Sequence, residues 1–519
     1  MHLFVKKHLS LPLIASDGIV CLAKKQSLKY NLLKAKWGIT LQRGRILTFS
    51  RTARWPPVFL LYLYALTNRS MKIIIAGAGE VGSHLAKMLS NESNNLTIID
   101  SDESRLNKLR EVADVITIYG DPTSIETLKQ AGAEKADLFI AVSPSQEQYV
   151  NIISALLAKK MGSEKVTARI NNDEYMHHEN KLLFKELGID LLFYPEKIAS
   201  YEIVDLLKQT GTTEFMEFAR GMLQMVVFRL EEGAPLIDKC VNDILSCTGE
   251  SQYKVVAIER DDDTIIPSSE TKFQENDLVF VICTRDGVQD AMSYSGKKEI
   301  EIKNLMIVGG GRIGEMLAKK MSNVSDHIKI IETKPERCEY LAETLNKVMV
   351  INGDGRNSDL LLEEDVTKYD AFVAVTGSSE TNILSCVAAK KMGVAKTIAE
   401  VENIEYIKLA EGMGVDAVIN KKLATAGRIF RFTLSNKVRS IKCLNGSDAE
   451  VLEFIVNPSS AITKGALKDL HFPKEAIIGG IIRGNASFVA TGDTIVKPYD
   501  RVAVFALPQA LAKVNKFFI

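Results

Sequence analysis

The stretch that decides the fold is "MKIIIAGAGEVGSHLAKML", Met71 to Leu89, where an apolar run leads into Gly77-x-Gly79-x-x-Gly82 and a helix-like segment. A buried strand that turns through closely spaced glycines into a helix lets backbone N–H groups approach a phosphate, and the helix N-terminus adds partial positive charge. In this pattern Gly77 makes the tight turn, Gly79 leaves room for the phosphate and Gly82 lets the helix press on the strand. Three glycines alone would also punctuate an ordinary loop. The next apolar run, "LTIID", ends in Asp100, 18 residues beyond Gly82, where the motif requires an acceptor for a ribose hydroxyl. That context favours nucleotide binding.

The chain contains this unit twice. "NLMIVGGGRIGEMLAKKM", Asn304 to Met321, supplies Gly309, Gly311 and Gly314, and "IKIIE" then ends in Glu332 after the same 18-residue gap. "YGDPTS" (Tyr119 to Ser124) matches "NGDGRNS" (Asn352 to Ser358), and "DLFIAVS" (Asp137 to Ser143) matches "DAFVAVT" (Asp370 to Thr376). "NIISALLAKKMG" (Asn151 to Gly162) matches "NILSCVAAKKMG" (Asn382 to Gly393). Matched blocks at a nearly constant offset mean an internal duplication. Within each copy short Val/Ile-rich runs alternate with amphipathic stretches, so the fold class is α/β: two Rossmann-like parallel-sheet domains with helices on both faces. A small α+β module follows each copy, with alternating strands, a short helical piece and a closing strand pair whose turns fall at Asp261 to Asp263 and at Gly484-Asn485. The expected domains are residues 71–212, 213–296, 301–439 and 440–519.

Composition narrows the function. With 519 residues, 46% hydrophobic and 25% charged, the chain is long enough for several globular domains. Its seven cysteines are scattered without a C-x-x-C pair, which favours a reducing cytosol and gives no zinc site. The zero net charge hides a division: residues 1–70 carry 12 Lys or Arg and one acid, Asp17, leaving 53 bases against 64 acids in the remainder. An acidic body argues against nucleic acid as a partner, because phosphate binding needs clustered Lys and Arg. The apolar stretch "WPPVFLLYLYAL", Trp55 to Leu66, is too short to span a bilayer, and no run reaches the roughly 18 to 20 residues that a spanning helix needs. Residues 1–70 read as a basic leader outside the domain plan, with Met71 the expected true start.

On "MKIIIAGAGEVG" with Asp100, "VGGGRIG" with Glu332, the "GD" after the third strand of each copy and the "RGN" hairpin near the end, the chain from Met71 to Ile519 resembles the TrkA proteins of bacterial potassium uptake. The resemblance implies two regulator-of-conductance (RCK, or KTN) nucleotide-binding domains, each followed by a TrkA-C domain. It implies a non-enzymatic gating subunit that is cytoplasmic and peripheral on the inner face of the plasma membrane through a potassium transporter of the TrkH type. It also implies binding of NAD(H) or adenine nucleotides, and homo-oligomerisation.

The site residues follow from the motifs. In the first copy the phosphates are expected over Gly77, Ala78, Gly79, Glu80 and Val81, ahead of Gly82, with Asp100 on the ribose. Gly120, Asp121, Ser143 and Pro144 flank the ligand at the carboxyl edge of the sheet. The second copy offers Gly309, Gly310, Gly311, Arg312, Ile313 and Gly314, with Glu332, Gly353, Asp354, Thr376 and Gly377. A carboxylate at Asp100 or Glu332 disfavours a 2′-phosphate, which counts against NADP. Two positions exchange sign between the copies: Glu80 becomes Arg312, and Arg169 at the end of strand five becomes Glu400. Either these positions approach one another and set ligand preference, with Arg312 favouring ATP or ADP in the second copy, or they are unrelated surface changes. His177-His178 reads as solvated surface, "GMLQMVV" as strand core, and no P-loop is present. The alternative function is an NAD-dependent oxidoreductase, which would need an acid/base beside the nicotinamide that neither small module supplies.

Overall fold

The computed structural model describes residues 71–90, 95–144, 148–219, 221–245, 252–261, 263–296, 300–430, 438–443 and 449–518, with four short strands inside residues 11–48. The chain divides into two units, Met1–Met71 and Lys72–Ile519. In the first, Leu11–Ala15 pairs antiparallel with Gly18–Leu22, and Thr40–Gln42 with Arg45–Thr48. Trp55 to Leu66 lies outside the described residues.

In the second unit, β1 (Lys72–Ala76), β2 (Asn95–Asp100), β3 (Ile116–Tyr119), β4 (Leu138–Ala141), β5 (Lys165–Arg169) and β6 (Leu191–Phe193) form a parallel sheet in the order 6-5-4-1-2-3. This is the doubly wound order, with its switch point between β1 and β4. Ile73, Ile74, Ile75 and Ala76 are fully buried, as a central strand covered on both faces requires. An antiparallel sheet follows, in which β7 (Glu214–Phe218), β8 (Leu223–Arg229), β9 (Tyr253–Arg260), β10 (Asp263–Ile265) and β11 (Leu278–Thr284) lie in the order 7-8-11-9-10. Leu223, Met225, Val226 and Val227 of β8 are fully buried, so the methionine-rich stretch is core.

The second half repeats the plan. β12 (Asn304–Val308), β13 (His327–Glu332), β14 (Val348–Asn352), β15 (Ala371–Ala374), β16 (Lys396–Glu400) and β17 (Ala417–Ile419) are parallel in the order 14-13-12-15-16-17. β18 (Val438–Cys443), β19 (Glu450–Ile455), β20 (Ala476–Arg483), β21 (Ala486–Val489) and β22 (Arg501–Ala506) are antiparallel in the order 18-19-22-20-21. The modules differ in one respect. The first has a short α-helix at Val241–Leu245, whereas the second has single 3-10 turns at Ala461–Thr463 and Leu467–Asp469 with Gly465 between them, a residue that weakens helix continuation.

The copies pair within the chain through the first and last helices of each Rossmann-like unit: α1 (Glu80–Ser90) and α2 (Pro195–Lys208) from one, α3 (Arg312–Met321) and α4 (Lys421–Phe430) from the other. α2 packs on α3 and α4, and α1 packs on α4. Ala199, Ile203 and Leu206 share a core with Leu317, Ala318 and Met321, and Lys320 Nζ sits 3.3 Å from the Tyr201 ring centre. Truncating a buried leucine such as Leu317 to alanine would cost about 3 kcal/mol. The small modules pair too. Phe280 and Phe505 have ring centres 5.7 Å apart, and Lys254 Nζ donates to the carbonyls of Ile478 (3.0 Å) and Ala490 (2.8 Å). Among the described residues no helix is long and apolar enough to cross a membrane.

A pair of candidate nucleotide clefts

At the switch point of the first sheet the strand-to-helix turn is held by its glycines. The Gly77 N–H donates to the Ile99 carbonyl at 2.8 Å, and Gly77 has φ +113°. A Cβ there would stand 2.7 Å from Ser143 N, and one on Gly82 would stand 1.8 Å from Gly77 O. Both positions therefore require glycine, for close approach and, at Gly77, for the left-handed backbone. Gly79 differs: a Cβ there would meet nothing within 4 Å. The second copy repeats all of this. Gly309 has φ +104°, a Cβ on Gly314 would fall 2.0 Å from Gly309 O, and Gly311 faces open space. Open ground over the middle glycine, beside the N-termini of α1 and α3, fits a phosphate.

The acids at the ends of β2 and β13 brace these loops. Asp100 is buried, its Oδ2 accepting from the Ala78 N–H at 2.5 Å and its Oδ1 from the Asp102 N–H at 2.8 Å. Glu332 accepts from the Gly310 N–H (2.8 Å) through Oε2 and from the Lys334 N–H (2.9 Å) through Oε1. Each carboxylate therefore already holds its loop, and a ribose hydroxyl would take a remaining lone pair. The strand-three loops are adjacent: the Gly120 N–H donates to the Asp100 carbonyl (3.0 Å) and the Gly353 N–H to the Glu332 carbonyl (2.9 Å). Asp121 accepts from Thr123, whereas Asp354 is paired with Arg356 at 2.7 Å, which holds its carboxyl below the usual range. After strand four, the Ser143 and Thr376 N–H groups donate to the Asn151 and Asn382 side chains. Pro144 and Gly377 follow, Gly377 exposed in open space.

The sign-exchanged residues do not form a pair within either copy; they meet residues of the last helices. Arg169 Nη2 lies 3.2 Å from Glu196 Oε1 at the start of α2, with both side chains largely buried. Glu400 is buried, lies 3.7 Å from Lys421 at the start of α4 and has an Oε1 without a hydrogen-bond partner. Burial pushes its carboxyl up to about 7, against the pull of Lys421 and with a push from Glu402. Glu80 crosses to the other copy, its Oε2 standing 3.3 Å from Lys422 Nζ. The charge of Arg312 is felt by Tyr194 of the first copy, whose phenol burial and then Glu196 raise to about 12, with Arg312 pulling the other way. Among the described residues none of the four exchanged side chains pairs with another; Glu80 crosses to the last helix of the second copy, whose adjacent Lys421 lies beside Glu400.

Several residues were missed in the sequence. Arg337 donates through Nε to the Gly310 carbonyl (2.7 Å) and through Nη2 to Glu315 (2.6 Å), clamping the second glycine loop. Its counterpart Arg105 stays beside Asp102 (3.3 Å) and Asp100 (3.9 Å), because Ser83 stands where Glu315 would hold it. The signal was present, an arginine five residues beyond each strand-two acid. His177 and His178 are exposed, and no cluster of three or more metal-ligating side chains occurs among the described residues.

The TrkA-N domain model matches residues 73–195 and 305–421, and the TrkA-C domain model matches 225–296 and 451–519. The chain belongs to the TrkA family. It is 34% identical over 450 residues to a Trk system potassium uptake protein TrkA homolog of Archaeoglobus fulgidus, covering 86% of this chain and all of that one. It is 32% identical over 441 residues to the Trk system potassium uptake protein TrkA of Halomonas elongata, covering 84% and 96%. Both relatives are named as potassium uptake system proteins. Among solved structures the GsuK RCK domain superposes with a TM-score of 0.54 at 16% identity, over 91% of this chain and 98% of that one. The GsuK channel bound to NAD gives 0.54 at 16%, over 86% and 79%. At that identity the likeness is one of fold.

Proposed function

We propose that this TrkA-family chain is the nucleotide-sensing regulatory subunit of a Trk-type potassium uptake system. It binds NAD(H) and adenine nucleotides in two clefts and acts from the cytoplasmic face on a membrane potassium transporter of the TrkH type. The observation that carries the reading is the repeated cradle: open space over Gly79 and Gly311, each beside a helix N-terminus and each braced by an acid at the end of strand two. The NAD-bound relative in fold supports the ligand class. The phosphates lie over Gly77 to Val81 and over Gly309 to Ile313, and Asp100 and Glu332 take the ribose. Residues 71–212 and 301–439 act as the sensing units, and 213–296 and 440–519 as the modules that pair them.

Signalling needs no chemistry. A ligand that binds one arrangement of the paired units better than the other shifts their equilibrium, and a differential affinity of a few kcal/mol is enough. Two chains would supply four Rossmann-like units to a pore of two-fold symmetry. Calorimetric titration of the full chain with NADH, ATP and ADP, followed by potassium flux through a co-purified transporter, tests the reading. Binding that alters flux supports it, and binding of none of the three ligands refutes it.

A further inference from the structure

Lys422 is the second residue of α4 in the second copy, yet its charge is felt in both clefts. Its Nζ lies 3.3 Å from Glu80 Oε2 at the first glycine loop. It helps hold the neighbouring His84 imidazole, half-buried with an enclosed, unpartnered Nε2, down to about 4, after burial itself and ahead of Lys87. It also acts on Glu400 in the second cleft. The lysine side chain is 14% exposed and the glutamate 57%, so the cation is the fixed member of the pair and the anion the free one. Lys421 beside it is engaged by Glu402 and Glu400.

Glu196 occupies the position in α2 that Lys422 occupies in α4, each the second residue of its helix and three residues past the end of the preceding strand, β6 or β17. The charge of Arg312, the counterpart of Glu80, acts on Tyr194, which immediately precedes α2. The copies differ in which element supplies a cation at the glycine loop. In the second cleft the loop itself carries it; in the first it comes from the opposite copy. A phosphate over Gly79 would stand beside the Glu80 carboxylate and be repelled unless Lys422 neutralises that charge or turns to the phosphate.

Resting on the nucleotide reading above, we propose that Lys422 is a specificity-determining residue of the first cleft supplied by the second copy, where the ligand's phosphates compete with Glu80 for its ammonium. Phosphate charge in the first cleft is then read directly by the helix that opens beside the second.

The test uses the full chain carrying Gly311→Glu, which fills the open ground of the second cleft with a carboxylate, titrated with ATP and with NADH. Lys422→Gln is expected to weaken ATP about tenfold and NADH by less than about threefold, because a charge-assisted contact scales with ligand charge, while Lys422→Arg retains ATP affinity. Unchanged ATP affinity, an equal loss for both ligands, or failure of the arginine variant to bind ATP would overturn the proposal. If the unsubstituted chain binds neither ligand, the nucleotide reading itself falls, and that result is distinct because it precedes any change at Lys422.

Discussion

The two glycine loops have the same backbone and different restraints. In the first copy the Asp100 carboxylate alone takes a loop N–H, and Ser83 Oγ donates to the Ala78 carbonyl at 2.9 Å. In the second, Glu332 accepts from the Gly310 N–H, Arg337 donates to the Gly310 carbonyl, and Glu315 fixes Arg337, so the same residue is held on both of its peptide groups by charged side chains. Hydrogen bonds with an ionised partner are the stronger kind, and a network of them resists rearrangement more than one charged and one neutral bond do. The duplication has therefore kept the cradle and varied its stiffness. The difference teaches that the second cleft is the preorganised one, and the first is the cleft whose charge balance depends on the partner copy.

Substitutions that ignore the difference should act most strongly and equally. Gly82→Ala and Gly314→Ala each drive a Cβ into the carbonyl of the first loop glycine, and each is expected to cost about 3 kcal/mol, read as a fall in the urea midpoint. Gly79→Glu and Gly311→Glu separate the clefts. Each side chain has room, so the fold survives, but a carboxylate occupies the phosphate ground and nucleotide affinity at that cleft should drop on the order of 100-fold by calorimetry.

A pH series breaks the comparison on one side. The Glu400 carboxyl is raised to about 7 in the fold, so the folded chain holds a proton that the unfolded chain has already released. Stability falls as pH rises from about 4.5 to about 7, by about 3 kcal/mol, and Glu400→Gln should remove that slope from the denaturation curve. Arg169 fills the equivalent place in the first copy and offers no carboxylate to titrate. The smallest effect is expected at the clamp. Arg337→Ala should weaken nucleotide binding in the second cleft by about 1 kcal/mol, and Arg105→Ala in the first by less than about 0.5 kcal/mol. Equal losses at Arg105 and Arg337 would show that the clamp does not distinguish the two loops.

The sequence by itself determined the parallel sheets, the glycine turns, the acids at the ends of β2 and β13, the duplication and the family. Those features are local: a central strand must be apolar throughout, a turn at φ +113° needs glycine, and a short strand–loop–helix unit repeats its spacing wherever it recurs. It also exposed the sign exchanges at Glu80/Arg312 and Arg169/Glu400, without telling whether they meet. Only the tertiary structure decided that. Packing α1 against α4 sets Lys422 on Glu80, and packing α2 against α3 brings the charge of Arg312 close enough to act on the Tyr194 phenol. An ion pair between distant segments depends on which helix faces meet and at what depth of burial, and neither residue's local sequence carries that information.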